Sequence, residues 1–326
     1  MITTEPLLQI EHLRVSLPTP RGTVQAVRDL SFTLQHGEML AIVGESGCGK
    51  SVTAQAIMGL LPHSAHIEYQ SAVFQSQTLF THDPASMVKK RIAMIFQNPM
   101  ATFNPTLSIG YQIAEPLRLH RHFNRHDAET ETARLLSRMQ IDNAKQRARQ
   151  YPHEFSGGML QRAAIAMALA LQPQLLIADE PTTALDVSTQ ADVMNLLNEL
   201  RTEQQMAVLF ISHDLGLVSR HADRVAVMYA GEIIETADTR STLDHPQHPY
   251  TQALLAALPS KRNTSRLHAI AGSPPDLRSP PAGCAFLERC TKHMSICEHA
   301  PPLFLEHHAA RCWLYDPSHI KAEAVT

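Results

Sequence analysis

The stretch Gly44-Glu45-Ser46-Gly47-Cys48-Gly49-Lys50-Ser51 decides the fold of this chain. It fits the pattern G-x-x-x-x-G-K-[ST], in which glycines let backbone N–H groups surround a phosphate. The apolar residues 39–43 precede it and predict a strand, and residues 52–58 follow and predict a helix. Because the pattern requires this strand–loop–helix order, we predict a phosphate loop and not a chance glycine-rich turn.

The residue types of the phosphate loop (residues 44–51) suit a nucleotide bound with magnesium. The N-terminus of the following helix favours negative charge, and Lys50 can reach β- and γ-phosphates. The Ser51 hydroxyl can bind Mg²⁺. Cys48 fits as a small filler, and its neighbour Lys50 could lower the pKa of the thiol. The loop therefore predicts a nucleotide and Mg²⁺ as ligands.

A pair of carboxylates, Asp179 and Glu180, follows the apolar run 175–178. Ligands of open α/β sheets bind at the carboxyl ends of such strands. Asp179 is suited to hold Mg²⁺ through water, and Glu180 to orient or deprotonate an attacking water. An isolated acidic pair can also cap a helix, but its place downstream of a phosphate loop favours hydrolysis of a nucleotide.

Bulk properties limit the classes of protein. The 326 residues are enough for one large domain or two smaller ones, and 44% are hydrophobic. A formal charge of −3 argues against general nucleic-acid binding. The longest apolar run, 163–171, is too short for a membrane span. Residues 1–6 lack a basic segment followed by an apolar one, so we expect a cytoplasmic protein that reaches a membrane through partners.

Apolar runs alternate with helical segments, which predicts a mainly parallel α/β sheet. The predicted strands are 8–17 (with one irregularity), 30–34, 39–43, 92–96, 175–178, 207–211 and 225–229. The predicted helices are 52–58, 127–139, 158–171 and 188–203, the last with Ser188 as its N-cap. Residues 105–150 are polar and His-rich and predict a helical insertion. From about residue 260, Pro, Ser, His and Cys predict a compact extension on a linker.

The segment Phe155-Ser156-Gly157-Gly158-Met159 resembles the signature motif of ATP-binding cassette (ABC) ATPases. Its Ser-Gly-Gly core is intact, although Phe155 and Met159 depart from the commonest form, Leu-Ser-Gly-Gly-Gln. Ser-Gly-Gly at a helix start makes a second anion site, and in that family it contacts the γ-phosphate held by the opposite subunit. Without this context the segment is an N-cap with a glycine turn.

Further motifs of that family occur in order. Gln97 matches the glutamine that joins the catalytic core to a helical subdomain and ligates Mg²⁺, and Thr183-Ala184-Leu185-Asp186 matches the D-loop. His213 matches the switch histidine near the γ-phosphate. The aromatic residue that usually stacks on adenine is missing between Gln9 and Val27, where Leu17 could take its place.

Longer segments narrow the resemblance to the oligopeptide/dipeptide permease branch. They are Gln97-Asn98-Pro99-Met100, Tyr151-Pro152-His153-Glu154, Ala178-Asp179-Glu180-Pro181-Thr182, His248-Pro249-Tyr250-Thr251 and Gly283-Cys284-Ala285-Phe286. The resemblance implies an α/β P-loop ABC ATPase core, with a mostly parallel sheet and an antiparallel β-subdomain. It implies a nucleotide-binding domain over 1–258, with a helical subdomain at about 105–170, and a C-terminal extension over 259–326.

The same resemblance implies an ATP-hydrolysing subunit of a binding-protein-dependent importer. Peptides are the expected cargo, with nickel or metal–chelator complexes as the alternative. The implied partners are two transmembrane permease subunits, a second ATPase subunit (a copy or a paralogue) and, indirectly, a periplasmic substrate-binding protein, but no nucleic acid. The expected location is peripheral, on the cytoplasmic face of the bacterial inner membrane.

Two other classes of ABC protein fit less well. Soluble ABC proteins of DNA repair or translation usually carry two cassettes or coiled-coil insertions, and this chain has one cassette and no heptad insertion. A regulatory cassette without hydrolysis is disfavoured by the intact Glu180 and His213.

Four of the five cysteines, Cys284, Cys290, Cys297 and Cys312, lie close together near the C-terminal end. In a cytoplasmic chain such clustering suggests metal before disulfides. The spacing lacks the C-x₂-C pairs of common zinc ribbons, and four thiolates can hold a [4Fe–4S] cluster, as some members of the resembled branch do. We therefore expect [4Fe–4S], with zinc, aided by His293, His299, His307 or His308, and free structural thiols as alternatives.

Overall fold

The computed structural model describes residues 5–80, 91–182, 185–257, 270–304 and 307–316. The predicted linker near residue 260 and the Thr183-Ala184 part of the D-loop lie outside these residues. The chain forms two compact units. The first contains residues 1–34, 39–80 and 211–326, and the second contains 35–38 and 81–210.

The described residues form strands β1 (Leu8–Thr19), β2 (Gly22–Leu34), β3 (Met39–Val43), β4 (His66–Glu68), β5 (Ser71–Phe74), β6 (Gln77–Thr78), β7 (Ile92–Ile95), β8 (Leu175–Asp179), β9 (Ala207–Ile211), β10 (Arg224–Tyr229), β11 (Glu232–Asp238) and β12 (Ala309–Ala310). They form helices α1 (Lys50–Met58), α2 (Pro99–Thr102), α3 (Ile109–His120), α4 (Arg125–Arg138), α5 (Ala144–Arg147), α6 (Gly157–Leu169), α7 (Val187–Gln204), α8 (Leu215–His221), α9 (Thr239–Asp244) and α10 (Pro249–Ala256). Short 3₁₀ helices cover Pro152–Glu154, Leu287–Arg289, Ser295–Glu298 and Trp313–Tyr315.

The first unit is built on a mixed sheet with the strand order β6-β5-β1-β2-β11-β10-β3. β1 pairs antiparallel with β2, and β10 pairs parallel with β3. The fully buried run of β3 and the alternating burial of β1 place the core of this unit against the sheet. β12, from the C-terminal extension, adds to β11 through the pair Thr236 and Ala309. The extension is therefore part of the same sheet system as the phosphate loop.

The second unit holds strands β9-β8-β7 and most of the helices. β7 and β8 pair parallel, and β8 and β9 are buried along their whole length, as expected for strands covered on both faces. Helices α3, α4 and α6 pack against one another. Helices α3 to α5 fall within the predicted helical insertion at residues 105–150, and the limits of the helical subdomain, at about 105–170, stay a prediction.

Most predicted elements are confirmed, and the differences have local causes. The predicted irregularity in β1 is a register shift after Ile10, where His12 has a φ of 52°. Ser188 does not cap α7. Asp186 does, because its carboxylate accepts the Thr189 N–H at 3.0 Å. β11 and the helices after β10 were not predicted, since their short runs carry no clear period.

In the described part of the chain, no helix is both long enough and apolar enough to cross a membrane.

Candidate functional site

The phosphate loop lies between β3 and α1, and two of its glycines are required by neighbouring backbone. A Cβ at Gly44 would lie 2.1 Å from the Met228 carbonyl oxygen, and one at Gly49 would lie 2.4 Å from the Ala26 carbonyl oxygen. Both residues also have positive φ, 151° and 109°, which side chains rarely adopt. The loop is thus seated closely against β2 and β10, and its sequence pattern has a steric reason.

Lys50 is turned back into this loop. Its Nζ donates to the carbonyl oxygens of Gly44 at 2.8 Å and Glu45 at 2.9 Å, and the residue is only 6% exposed. Cys48 lies beside the same ammonium, 3.7 Å from Sγ to Nζ. Burial nevertheless raises the pKa of the Cys48 thiol, outweighing the opposing effect of Lys50. The expected lowering of this pKa is therefore wrong.

The acidic pair stands at the end of β8 in the second unit. Asp179 is the last residue of the strand and is 5% exposed, and Glu180 follows with a positive φ of 48°. The Gln97 side-chain amide donates to the Glu180 carboxylate, with 2.9 Å between Nε2 and Oε2. A backbone held in this sparsely populated region, with its side chain oriented by an amide, is typical of functional sites. The structure thus brings together two of the three predicted catalytic residues.

The signature segment begins α6, with Ser156 as the N-cap whose Oγ accepts the Met159 N–H at 3.3 Å. A Cβ at Gly158 would lie 2.8 Å from Thr189 Cγ2, so packing within the unit requires this glycine. A Cβ at Gly157 would meet nothing within 4 Å in the described residues. Gly157 is therefore not explained by packing within the described chain.

Two further predicted residues flank these elements. Asp186 accepts hydrogen bonds from the Ser188 and Thr189 hydroxyls, and these bonds, with the Thr189 N–H, lower its pKa well below the usual range. His213 is an exposed residue after β9, in the first unit with the phosphate loop.

Two residues that contact the phosphate loop are not predicted by any local sequence pattern. The Arg289 guanidinium in the extension forms an ion pair with Glu45, and the Tyr250 hydroxyl accepts the Glu45 N–H at 2.9 Å. Glu45 and Arg289 are 244 residues apart, and no local pattern links positions so distant. The segment around Tyr250 was noted only for its family resemblance.

The four clustered cysteines line a single cavity, the thiol cavity, together with His248 and Phe286. Its volume is about 10 Å³, roughly the space that one water needs. All four thiols are free. Burial raises the pKa of Cys284 and of Cys312 to about 11, and it lowers the pKa of His248 to about 3. Neutral thiols and a neutral imidazole therefore surround a small space.

This geometry does not support the expected metal. In the ranges that the structure describes, no group of three or more His, Cys, Asp or Glu side chains could hold a metal ion. Two of the four neighbouring histidines contact other groups: His308 contacts Glu235 with 2.6 Å between Nε2 and Oε1, and His293 contacts the Cys290 carbonyl oxygen. The described residues therefore hold no formed site for the expected [4Fe–4S] cluster or for zinc, and burial of Cys284, Cys290 and Cys312 favours the neutral thiol over the thiolate that metals bind.

Comparison with protein families finds two matches. The family described as ABC transporter matches residues 27–183. The family described as oligopeptide/dipeptide transporter, C-terminal region, matches residues 234–297. The second match covers most of β11, all of α10 and three of the four clustered cysteines.

Curated relatives match nearly the whole chain. The dipeptide transport ATP-binding protein DppD of Bacillus subtilis is 47% identical over 320 residues, which covers 96% of each chain. The oligopeptide transport ATP-binding protein OppD of Haemophilus influenzae is 47% identical over 95% of this chain and 97% of its own.

Solved structures share the fold. The protein cbiO1 of Clostridium perfringens, part of an ABC transporter complex, has a TM-score of 0.64 at 24% identity and covers 74% of this chain and 92% of its own. A dimeric ATP-binding cassette in a post-hydrolysis state, bound to ADP and phosphate, has a TM-score of 0.64 at 23% identity and covers 72% of this chain and 99% of its own.

Proposed function

Since this chain belongs to the oligopeptide and dipeptide family of ABC transporter ATP-binding proteins, and is therefore an ATPase, we propose that it powers the uptake of short peptides. The observation that carries this proposal is the phosphate loop itself. Two of its three glycines, Gly44 and Gly49, admit neighbouring backbone that a Cβ would exclude, and its lysine is turned into the loop. Such a loop is built for a polyphosphate.

In this proposal residues 44–51 cradle the phosphates, and Lys50 exchanges its carbonyl partners for phosphate oxygens. Ser51, Gln97 and Asp179 are the proposed Mg²⁺ ligands, a hydroxyl, an amide and a carboxylate, which are the oxygen donors that this ion prefers. Bound Mg²⁺ neutralises charge on the phosphates. Glu180 deprotonates or orients the attacking water, and the hydrogen bond from Gln97 fixes its carboxylate. His213 completes the proposed catalytic set by contacting the γ-phosphate.

A second ATPase subunit, either a copy or a paralogue, supplies Ser156, Gly157 and Gly158 to the γ-phosphate in trans, and Asp186 belongs to the same interface. The open space at Gly157 supports this proposal, because a glycine that packing does not require is explained if a ligand approaches closely. Mixing Lys50→Ala and Ser156→Arg chains tests it, since one competent site per pair should restore part of the activity. If each variant folds and the mixture stays inactive, the trans arrangement fails.

The proposed membrane partners are two permease subunits, which receive peptide from a substrate-binding protein and hold this chain at the cytoplasmic face of the membrane. Large apolar side chains close to Gln97 in the sequence support a docking surface in the second unit, because Phe96 is 38% exposed and Met100 is 52% exposed. Nickel or metal–chelator complexes are the alternative cargo. In this proposal the ATPase subunit does not contact the cargo, so its sequence distinguishes poorly between peptides and metals.

We further propose that Cys284, Cys290, Cys297 and Cys312 are the ligands of a [4Fe–4S] cluster. The support is that the four free thiols line one cavity, while the small volume requires that cavity to widen on loading. Protein purified without oxygen should be brown, absorb near about 400 nm and hold about four irons per chain. One zinc per chain would favour the alternative metal. Colourless, metal-free protein with reactive thiols would leave only structural cysteines.

The experiment that tests the main proposal is peptide-stimulated ATP hydrolysis by the reconstituted complex of this chain, its permease subunits and the binding protein in vesicles. Peptide-loaded binding protein should raise the hydrolysis rate, and the Lys50→Ala complex should show none. If nickel or a nickel chelate stimulates hydrolysis and peptides do not, the cargo is the metal and not a peptide. Hydrolysis that is indifferent to the membrane subunits would favour a soluble ABC protein.

A further inference from the structure

We infer that Arg289 of the C-terminal extension is a positioning residue for the phosphate loop: it holds Glu45, and with it the backbone on which Lys50 is seated. This inference rests on the proposed function, in which that loop binds ATP. It gives the extension a part in nucleotide binding, because the residue that orients the loop comes from outside the cassette motifs.

The contact between Arg289 and Glu45 is bidentate. Nη1 lies 2.8 Å from Oε2, and Nη2 lies 2.9 Å from Oε1. The Arg289 side chain is 4% exposed and that of Glu45 25%, so solvent screens the pair weakly. A planar guanidinium facing a carboxylate with two parallel hydrogen bonds fixes orientation as well as distance. The position of Glu45 is therefore determined by the extension.

Arg289 is itself held from several sides. Its Nε donates to the Ala271 carbonyl oxygen at 2.9 Å, and Nη1 also donates to the Tyr229 hydroxyl at 3.1 Å. The guanidinium carbon lies 5.7 Å from the centre of the Tyr229 ring and 5.8 Å from that of Phe286. Few other rotamers of Arg289 could keep these contacts, so the side chain acts as a rigid strut between the extension and the loop.

Glu45 is the loop residue through which this strut can act on the nucleotide. Its carbonyl oxygen accepts from Lys50 Nζ at 2.9 Å, and its N–H donates to the Tyr250 hydroxyl. Displacing Glu45 would therefore move a partner of the lysine and the backbone at the loop entrance together. A loop that is correctly shaped only part of the time binds its ligand more weakly in proportion to that fraction.

The strut also adjoins the thiol cavity. Arg289 ends the 3₁₀ helix Leu287–Arg289, and the cavity is lined by Phe286 and Leu287 before it and by Cys290 after it. Phe286 packs edge-on against the Tyr229 and Tyr250 rings, which both contact the loop or its partner. The segment from Cys284 to Cys290 is thus shared by the cavity wall and the strut.

The chain offers a matched control for Arg289. Arg311 of the same extension also pairs with a carboxylate of the core, 2.8 Å from its Nη2 to Asp29 Oδ2. Asp29 lies in β2 and not in the phosphate loop. Removing Arg311 therefore weakens the attachment of the extension in a comparable way, without touching Glu45. The two arginines separate positioning of the loop from general anchoring of the extension.

The experiment measures ATP hydrolysis against ATP concentration in the reconstituted complex, for wild type, Arg289→Ala, Arg289→Lys and Arg311→Ala. Arg289→Ala should raise the KM for ATP about tenfold and change kcat at saturating ATP by less than about twofold, because the loop is correctly shaped less often. The KM of Arg289→Lys should lie between those of wild type and Arg289→Ala, since lysine keeps the charge but cannot donate two parallel hydrogen bonds. Arg311→Ala should keep the KM within about twofold.

A second set of variants keeps the test decisive if Arg289→Ala does not fold. Glu45→Gln keeps the size of the side chain and should raise the KM as Arg289→Lys does. In complexes that fold, Glu45→Ala combined with Arg289→Ala should be no worse than the single variants, because the pair acts as one unit. Equal KM effects of Arg289 and Arg311 substitutions, or none, would overturn the inference. Hydrolysis that survives Lys50→Ala would instead overturn the proposed function.

Discussion

The phosphate loop and the thiol cavity lie in the same compact unit and both enclose buried thiols, yet they are built in different ways. The loop is eight consecutive residues that lead from β3 into the first turn of α1, and close contacts with Ala26 and Met228 require glycine at two of its positions. The cavity is assembled from residues spread between His248 and Leu314, joined by contacts such as the Cys284 N–H to the Cys297 carbonyl oxygen, at 2.9 Å.

A site built from consecutive residues can be inferred from the sequence, whereas a site assembled from distant residues cannot. In the loop, each residue type follows from local chemistry, so the ligand can be inferred with the fold. In the cavity, the same residue type can be a metal ligand or a small apolar filler, and packing over long sequence distances decides between them. The spacing of the cysteines alone therefore does not predict that burial raises the pKa of Cys284 and of Cys312 to about 11.

The largest effect is expected on the side of the loop. Gly49→Ala places a Cβ 2.4 Å from the Ala26 carbonyl oxygen and 2.7 Å from Met228 Cε, so we expect a loss of at least about 3 kcal/mol in the free energy of unfolding, and loss of ATP binding. Gly47→Ala is the control, since a Cβ there meets nothing within 4 Å in the described residues; only its positive φ should cost about 1–2 kcal/mol. Denaturant unfolding compares the two, and equal losses would break the steric account.

A smaller effect is expected where the extension is anchored beside the cavity. His308→Ala removes a partner of Glu235, which is 0% exposed, and should cost about 2–3 kcal/mol. The exposed His293 is the control, and His293→Ala should stay within about 0.5 kcal/mol. Thermal unfolding and limited proteolysis of the extension measure both. A His308 variant as resistant to protease as wild type would show that this contact does not hold the extension.

The smallest effect is the pH dependence of the stability that the Asp29 carboxylate contributes. Burial alone would raise the pKa of Asp29, but hydrogen bonds from His12 and Arg311 outweigh it and lower that pKa below 3.8. A carboxyl whose folded pKa is lowered stabilises the protein above its unfolded pKa, and this stability is lost as the pH falls below about 4. Asp29→Asn should therefore cost about 1 kcal/mol at pH 7 and less as the solution is acidified below pH 4. A difference that stays constant with pH would contradict this linkage.

Much of the fold and part of the site could be predicted from the sequence. The run before the phosphate loop, the buried strand before Asp179 and the N-cap at Ser156 are local patterns, and the structure confirms them. The pairing of Arg289 with Glu45 could not be predicted, because two residues 244 positions apart meet only through the fold. The prediction of Ser188 as the cap of α7 is wrong because Ser and Asp are equally good caps, and only the backbone geometry shows that Asp186 takes this place.

In the proposed function, the phosphate loop binds ATP and Glu180 activates the water that hydrolyses it. The most direct measurement is the nucleotide content and turnover of the reconstituted complex carrying Glu180→Gln, beside one carrying Lys50→Ala. We predict that the Glu180→Gln complex retains ATP and loses about two or more orders of magnitude in turnover, as expected for loss of a general base, whereas Lys50→Ala retains no ATP. Near-normal turnover with Glu180→Gln, or undiminished ATP retention with Lys50→Ala, would contradict the account.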